Sequence, residues 1–222
     1  MLEVKKLVYF DEENNLFWEI EKKKDRAHLE RRVKAKAFFL NKEDKKDLDK
    51  HFIENLDIIF KDLELPEPIE KFELGNGEEY IIVNVDDKNY ILRKGEFIND
   101  EIFLTIKRYL TCIFEHDIEP IKLSFSSFDG GGPSYKLEMK EKGIYTWYSS
   151  REYRNPNHDI MCGSAFDVYF YLYPLRPGIA TAIIYGHSPI CSTDPVKITV
   201  TVDDNLSISC TKETIINEKF RP

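Results

Sequence analysis

Between Leu7 and Phe39 the apolar residues of this chain come in short clusters and then in alternation, whereas after Leu48 they recur at helical spacing. The first texture is that of strands and the second that of helices. LVYF (Leu7–Phe10) and LFWEI (Leu16–Ile20), separated by the turn-rich DEENN, predict a hairpin. RRVKAKAFFL sets Val33, Ala35, Ala37 and Phe39 against Lys34, Lys36 and Phe38, the period of a half-buried third strand. Asn41 is then expected to cap a helix carrying Leu48, Phe52, Ile53, Leu56, Ile59, Phe60 and Leu63, which Pro66 and Pro68 stop.

EYIIVNV and NYILRK flank Asp86, Asp87 and Lys88 as a second hairpin. Asn99 caps a helix whose Ile102, Phe103, Ile106, Leu110, Ile113 and Phe114 share one face. Beyond Pro120 the helical period disappears and short alternating strands are punctuated by Gly, Pro, Asn and Asp, the texture of a sandwich or barrel. FDVYFYLY alternates Val168, Phe170 and Leu172 against Tyr169, Tyr171 and Tyr173; LRPG is a turn; ATAIIY, VKITVTV and LSISC are further strands. The pattern predicts an α+β domain over 1–119, with two strand groups and two amphipathic helices, followed by an all-β domain over 120–222.

Composition adds three expectations. At 222 residues and 42% hydrophobic, the chain is long enough for two ordinary domains. No apolar run approaches the roughly 20 residues that span a bilayer, and no charged leader precedes an apolar core near Met1, so a cytoplasmic protein without a membrane partner is expected. Four cysteines in such a chain are expected as thiols rather than a disulfide framework.

The net charge of -8 is localised. Asp and Glu balance Lys and Arg at 15 against 15 in residues 1–63 and 11 against 11 in 120–222, but stand at 14 against 6 in 64–119. An acidic middle segment either steers a basic partner or forms a solvated surface.

Several constellations invite a chemical reading. SSFDGGGPSY (Ser126–Tyr135) has the glycines of a phosphate cradle, but a strand follows it where such a cradle needs a helix N-terminus. Its glycines instead permit positive φ in a tight loop that Pro133 stiffens. HDIMC and HSPIC each set a Cys four residues after a His, so His158, Cys162, His187 and Cys191 would make a tetrahedral zinc set if their loops converged; unrelated loop histidines and half-buried thiols fit the same spacing. His187, Ser188, Cys191, Ser192 and Asp194 crowd one stretch, yet no G-x-S-x-G elbow accompanies them to make a hydrolase site. The basic run Lys22–Ala37 is interrupted by Asp25 and Glu30 in a chain of pI near 5.3, which reads as an exposed sheet face and argues against nucleic acid as a partner. The tyrosines on the FDVYFYLY strand suit either a binding face or a core.

The order of elements from Ile121 to Asp203 resembles the chagasin-type inhibitors of papain-like cysteine peptidases. Gly131-Gly132-Pro133-Ser134-Tyr135 is similar to the first loop of that family, Cys162-Gly163-Ser164-Ala165 ahead of FDVYFYLY to the second, and Gly186-His187-Ser188-Pro189 to the third. The family's Thr-Thr is absent, its Arg and aromatic are replaced by His187, Ser188 and Ile190, and its second-loop glycines reduce to Gly163. The resemblance implies an immunoglobulin-like sandwich with three loops at one end, meeting a cysteine peptidase through Gly131, Gly132, Pro133, Tyr135, Gly163, Ser164, His187, Ser188 and Pro189; at the ends of the glycine loop Asp129 can add a charge and Tyr135 an aromatic anchor. The expected function is therefore non-enzymatic protein binding without a cofactor. The alternatives are an immunity-type protein that neutralises a basic toxin domain and a zinc-dependent or hydrolytic enzyme.

Overall fold

The computed structural model of the chain describes residues 3–11, 16–34, 41–61, 63–70, 79–155, 163–189 and 193–215. It divides into two compact units, Met1–Asp117 and Ile118–Pro222. The described residues are mostly antiparallel β-structure, and among them no helix is long and apolar enough to cross a membrane.

In the first unit, strands β1 (Val4–Asp11), β2 (Leu16–Lys23), β3 (Arg26–Lys34), β4 (Asn41–Asp49), β5 (Glu79–Val85) and β6 (Lys88–Arg93) form one sheet in the order β4-β3-β2-β1-β5-β6. The Asp86-Asp87 turn joins β5 to β6 with φ of 50° and 66°, the two positive dihedrals that a type I′ hairpin requires. Leu7, Tyr9 and Ile81 are fully buried on the face that meets α3 (Asp100–Glu115), where Tyr9 packs edge-on against Phe103 at 5.6 Å. Asn99 caps that helix, its side-chain oxygen accepting from the Ile102 N–H at 2.8 Å.

The long helix expected after Asn41 is absent: Asn41–Asp49 is a strand, and the helical part shrinks to α1 (His51–Glu54) and α2 (Leu56–Phe60). The cause is charge pairing across the ladder. Strand β4 sets Asp44 opposite Arg31, Glu43 opposite Arg32 and Lys45 opposite Glu30, so a sequence poor in strand-formers is held as an edge. Phe52, Ile53, Leu56 and Phe60 keep the buried face read from their spacing. Residues 35–40, read as part of a strand, and the turn residues 12–15 lie outside the described set.

The second unit holds β7 (Ile121–Phe128), β8 (Ser134–Met139), β9 (Tyr145–Tyr153), β10 (Ala165–Pro174), β11 (Gly178–His187), β12 (Val196–Val202) and β13 (Ile208–Thr214). They form a three-stranded sheet, β7-β10-β9, and a four-stranded sheet, β13-β12-β11-β8. Facing side chains knit the two into a sandwich-like core: Phe125 of β7 lies 5.0 Å from Tyr135 of β8, and Phe170, Leu172, Ala182, Ile184, Ile198 and Val200 are buried. The first strand of this unit pairs with the fourth and the second with the fifth, whereas the immunoglobulin constant order pairs first with second and third with sixth.

Candidate loop-end binding site

Strand register places the three segments singled out in the sequence at one end of the second unit. Phe128 pairs with Ala165 and Phe166 with Tyr153 in one sheet, while Ser134 pairs with His187 and Val196 with Ile184 in the other. The connections 129–133, 154–164 and 188–195 therefore leave from the same edge of the sandwich.

Direct bonds join the first two. The Asp129 N–H donates to the Ser164 carbonyl at 3.0 Å, and the Gly163 N–H donates to the Asp129 carbonyl at 2.9 Å. Within the first loop the Gly132 N–H donates back to the Phe128 carbonyl at 3.0 Å, and Gly130 takes the left-handed φ of 86° that lets the chain reverse. Gly132 is needed for a different reason. A Cβ there would lie 2.5 Å from the Phe128 oxygen and from Ser127 Oγ, so only hydrogen fits. Ser127 Oγ in turn donates to the Pro133 carbonyl at 2.8 Å.

Tyr135 ties the first loop to the third. Its hydroxyl donates to the Ser126 carbonyl at 3.0 Å, and its ring lies so close to Gly186 that a Cβ there would come within 2.7 Å of Cε1. Beyond Gly186, the Thr193 N–H returns to the Gly186 carbonyl at 3.1 Å. At the sheet edge Arg154 donates to both Asp167 oxygens, at 3.1 and 2.7 Å, and to Ser126 Oγ. Arg154, then Ser126, hold the Asp167 carboxyl below its ordinary pKa.

The expected contact residues divide by exposure. Gly163, His187 and Pro189 are exposed, and Asp129, Gly131, Gly132, Tyr135 and Ser164 are half-buried. Pro133 and Ser188 are buried, so they brace the loops from beneath instead of facing outward. Sequence reading passed over Phe128, whose side chain is 44% exposed beside the first loop, and Arg151, whose guanidinium stacks over Phe166 at 4.1 Å. The only sequence signal for Phe128 was its place at the end of a strand of alternating polarity.

The remaining constellations resolve differently. Of the proposed zinc set, His187 is described, at the exposed end of β11; His158, Cys162 and Cys191 lie outside the described residues. Among the described residues no group of three or more His, Cys, Asp or Glu converges. Cys112 is buried and Cys210 half-buried, and burial raises the pKa of Cys210. Tyr169 and Tyr171 share the face opposite Phe170, with the Lys122 ammonium 3.6 Å from the Tyr169 ring centre, whereas Tyr173 is buried.

Cations of the basic run in the first unit are engaged by carboxylates: Lys22 with Glu3 and Glu54, Lys23 with Glu21, Arg31 with Asp44 and Glu115. Among the described residues of the first unit the acidic excess is scattered. Asp86 and Asp87 lie in a hairpin turn, Asp100 and Glu101 open α3, Glu115 closes it, and Lys5 and Lys46 partner Asp87 and Asp117.

Compared with known protein families, curated proteins and solved structures, the chain matches none.

Proposed function

We propose that this chain is a non-enzymatic binding protein that presents the loop end of its second unit to a protein partner in the cytosol. The observation that carries this reading is the pair of reciprocal backbone bonds between Asp129 and the Gly163–Ser164 segment, with Tyr135 extending the brace to Gly186. Loops fixed before binding lose less conformational entropy when a partner covers them. Phe128 supplies an exposed aromatic anchor, and Arg151 an exposed cation, within that braced rim.

In this reading the first unit is an α+β module and the second a loop-bearing sandwich. The partner class that fits best is a papain-like cysteine peptidase, whose cleft the loop end would fill as in the family that the strand rhythm resembles. The sandwich supports this through its layering and the shared end of its loops, independent of an immunoglobulin strand order.

Titrating a papain-like peptidase with the full chain in reducing buffer tests the partner. Stoichiometric loss of peptidase activity, weakened by Phe128→Ala, is the expected result. Full activity at large molar excess would overturn the peptidase as partner.

A further inference from the structure

The Asp129 carboxylate at the loop end is short of donors. Its Oδ1 stands 3.7 Å from Arg151 Nη1, an ion pair too long for a hydrogen bond. Its Oδ2 is shielded from solvent and accepts no hydrogen bond among the described residues. Arg151 is shared: its guanidinium lies over the Phe166 ring at 4.1 Å while its Nη1 stands 3.7 Å from the carboxylate. The neighbouring cation, Arg154, is engaged by Asp167 and Ser126. A carboxylate offers about four acceptor sites, and folded proteins seldom leave a shielded one without any donor.

While the loop end is bare, water reaches the part of Asp129 that remains open, 24% of its side chain. A partner that closes over the first loop removes that water. If it brings no donor, it buries an uncompensated charge, which is strongly unfavourable; if it brings a cation, charge-assisted hydrogen bonds replace the water. The carboxylate thus rejects partners as well as accepting them.

We infer that Asp129 selects partners that place a basic side chain against the Gly130–Gly163 rim of the loop end. This rests on the loop-end reading above and adds the chemistry that the partner must carry. A basic side chain supplies the charge-assisted donors that the open part of the carboxylate lacks. A calcium ion fits poorly: it needs about six to eight oxygens, and the Asp129 and Ser164 carbonyls are already taken by Gly163 and Asp129 amides.

The test is an amide NMR titration of the 15N-labelled full chain with N-acetyl-arginine amide. Saturable shifts at Gly130 and Gly163 are expected, and the uncharged citrulline analogue should produce none. Asp129→Asn keeps both backbone bonds and the side-chain shape, so its melting temperature should hold while binding weakens about tenfold, the order expected when a charge-assisted bond becomes a neutral one. Arg151→Gln removes the internal competitor and should tighten binding several-fold. No saturable shift, an equal response to citrulline, or unchanged binding by Asp129→Asn would overturn the inference. A negative result here beside a positive peptidase titration removes only the selection by charge, and the reverse pair of results removes only the peptidase.

Discussion

Asp129 and Gly163 are joined main chain to main chain, the Gly163 N–H donating to the Asp129 carbonyl at 2.9 Å across two connections far apart in sequence. Because backbone groups make this bond, it fixes loop position without using the side chains that a partner would meet. The loop end is therefore both braced and chemically open.

That brace has a tight-packed foot at Gly132. Replacing Gly132 by Ala drives a methyl group into the Phe128 carbonyl and Ser127 Oγ, each 2.5 Å from the new Cβ, and backbone atoms cannot rotate away. Overpacking of this kind costs about 1–3 kcal/mol. Gly163→Ala meets nothing within 4 Å and suffers only the strain of its φ of +94°, about 1 kcal/mol. Urea denaturation should therefore rank Gly132→Ala as the more damaging of the two.

In the first unit, the Arg31 guanidinium lies 4.7 Å from the centre of the Phe114 ring and 5.2 Å from that of Trp18, while it donates to Asp44 at 2.9 Å and to Glu115 at 3.0 Å. One side chain thus pins edge strand β4 and the end of α3 to the sheet. Lysine keeps the charge but has neither the planar stack nor the fork. Arg31→Lys should cost about 1–2 kcal/mol. Trp18 fluorescence, read in a Trp147→Phe background because the chain has two tryptophans, should change with it.

Burial raises the Asp57 carboxyl to a pKa of about 6, although its oxygen accepts the Val4 N–H at 2.8 Å and Lys22 opposes the rise. With the folded pKa above the unfolded one, the folded state takes up the proton first. The stabilisation is fully present below the unfolded value of about 3.9 and is lost as pH climbs through 6. Asp57→Asn preserves the acceptor and removes the charge. It should raise stability at pH 7 by about 1 kcal/mol, a figure reduced for the half-exposed position, and leave it nearly unchanged at pH 4. Paired melting curves at the two pH values check this; a gain at pH 4 equal to that at pH 7 would contradict it.

Much of this architecture was legible in the residues because local chemistry and tertiary packing agree. Asn99 caps α3 with its own side chain, Asp86-Asp87 turns a hairpin, and Phe170 and Leu172 alternate into the core as the period of two demands. The failure at Asn41–Asp49 has a definite cause, since its strand exists through charges on β3 that no window of that segment contains. At the loop end, the three connections were expected together from the resemblance alone, since the pairings that set their ends at one edge join strands distant in sequence. The burial of Pro133 and Ser188 was not legible, because the residues that cover them lie in other strands and loops. Nor was the donor-poor state of Asp129, whose neighbouring guanidinium is shared with the Phe166 ring of another strand.

Amide hydrogen exchange of the isolated chain tests the braced loop end most directly. Asp129 and Gly163 amides, each bonded from one connection to the other, should exchange at least about a hundredfold more slowly than the amide of the exposed Gly130, and together with each other. Exchange of Asp129 and Gly163 at the rate of Gly130 would mean that the loops move independently, and the account of a surface formed before its partner arrives would fall.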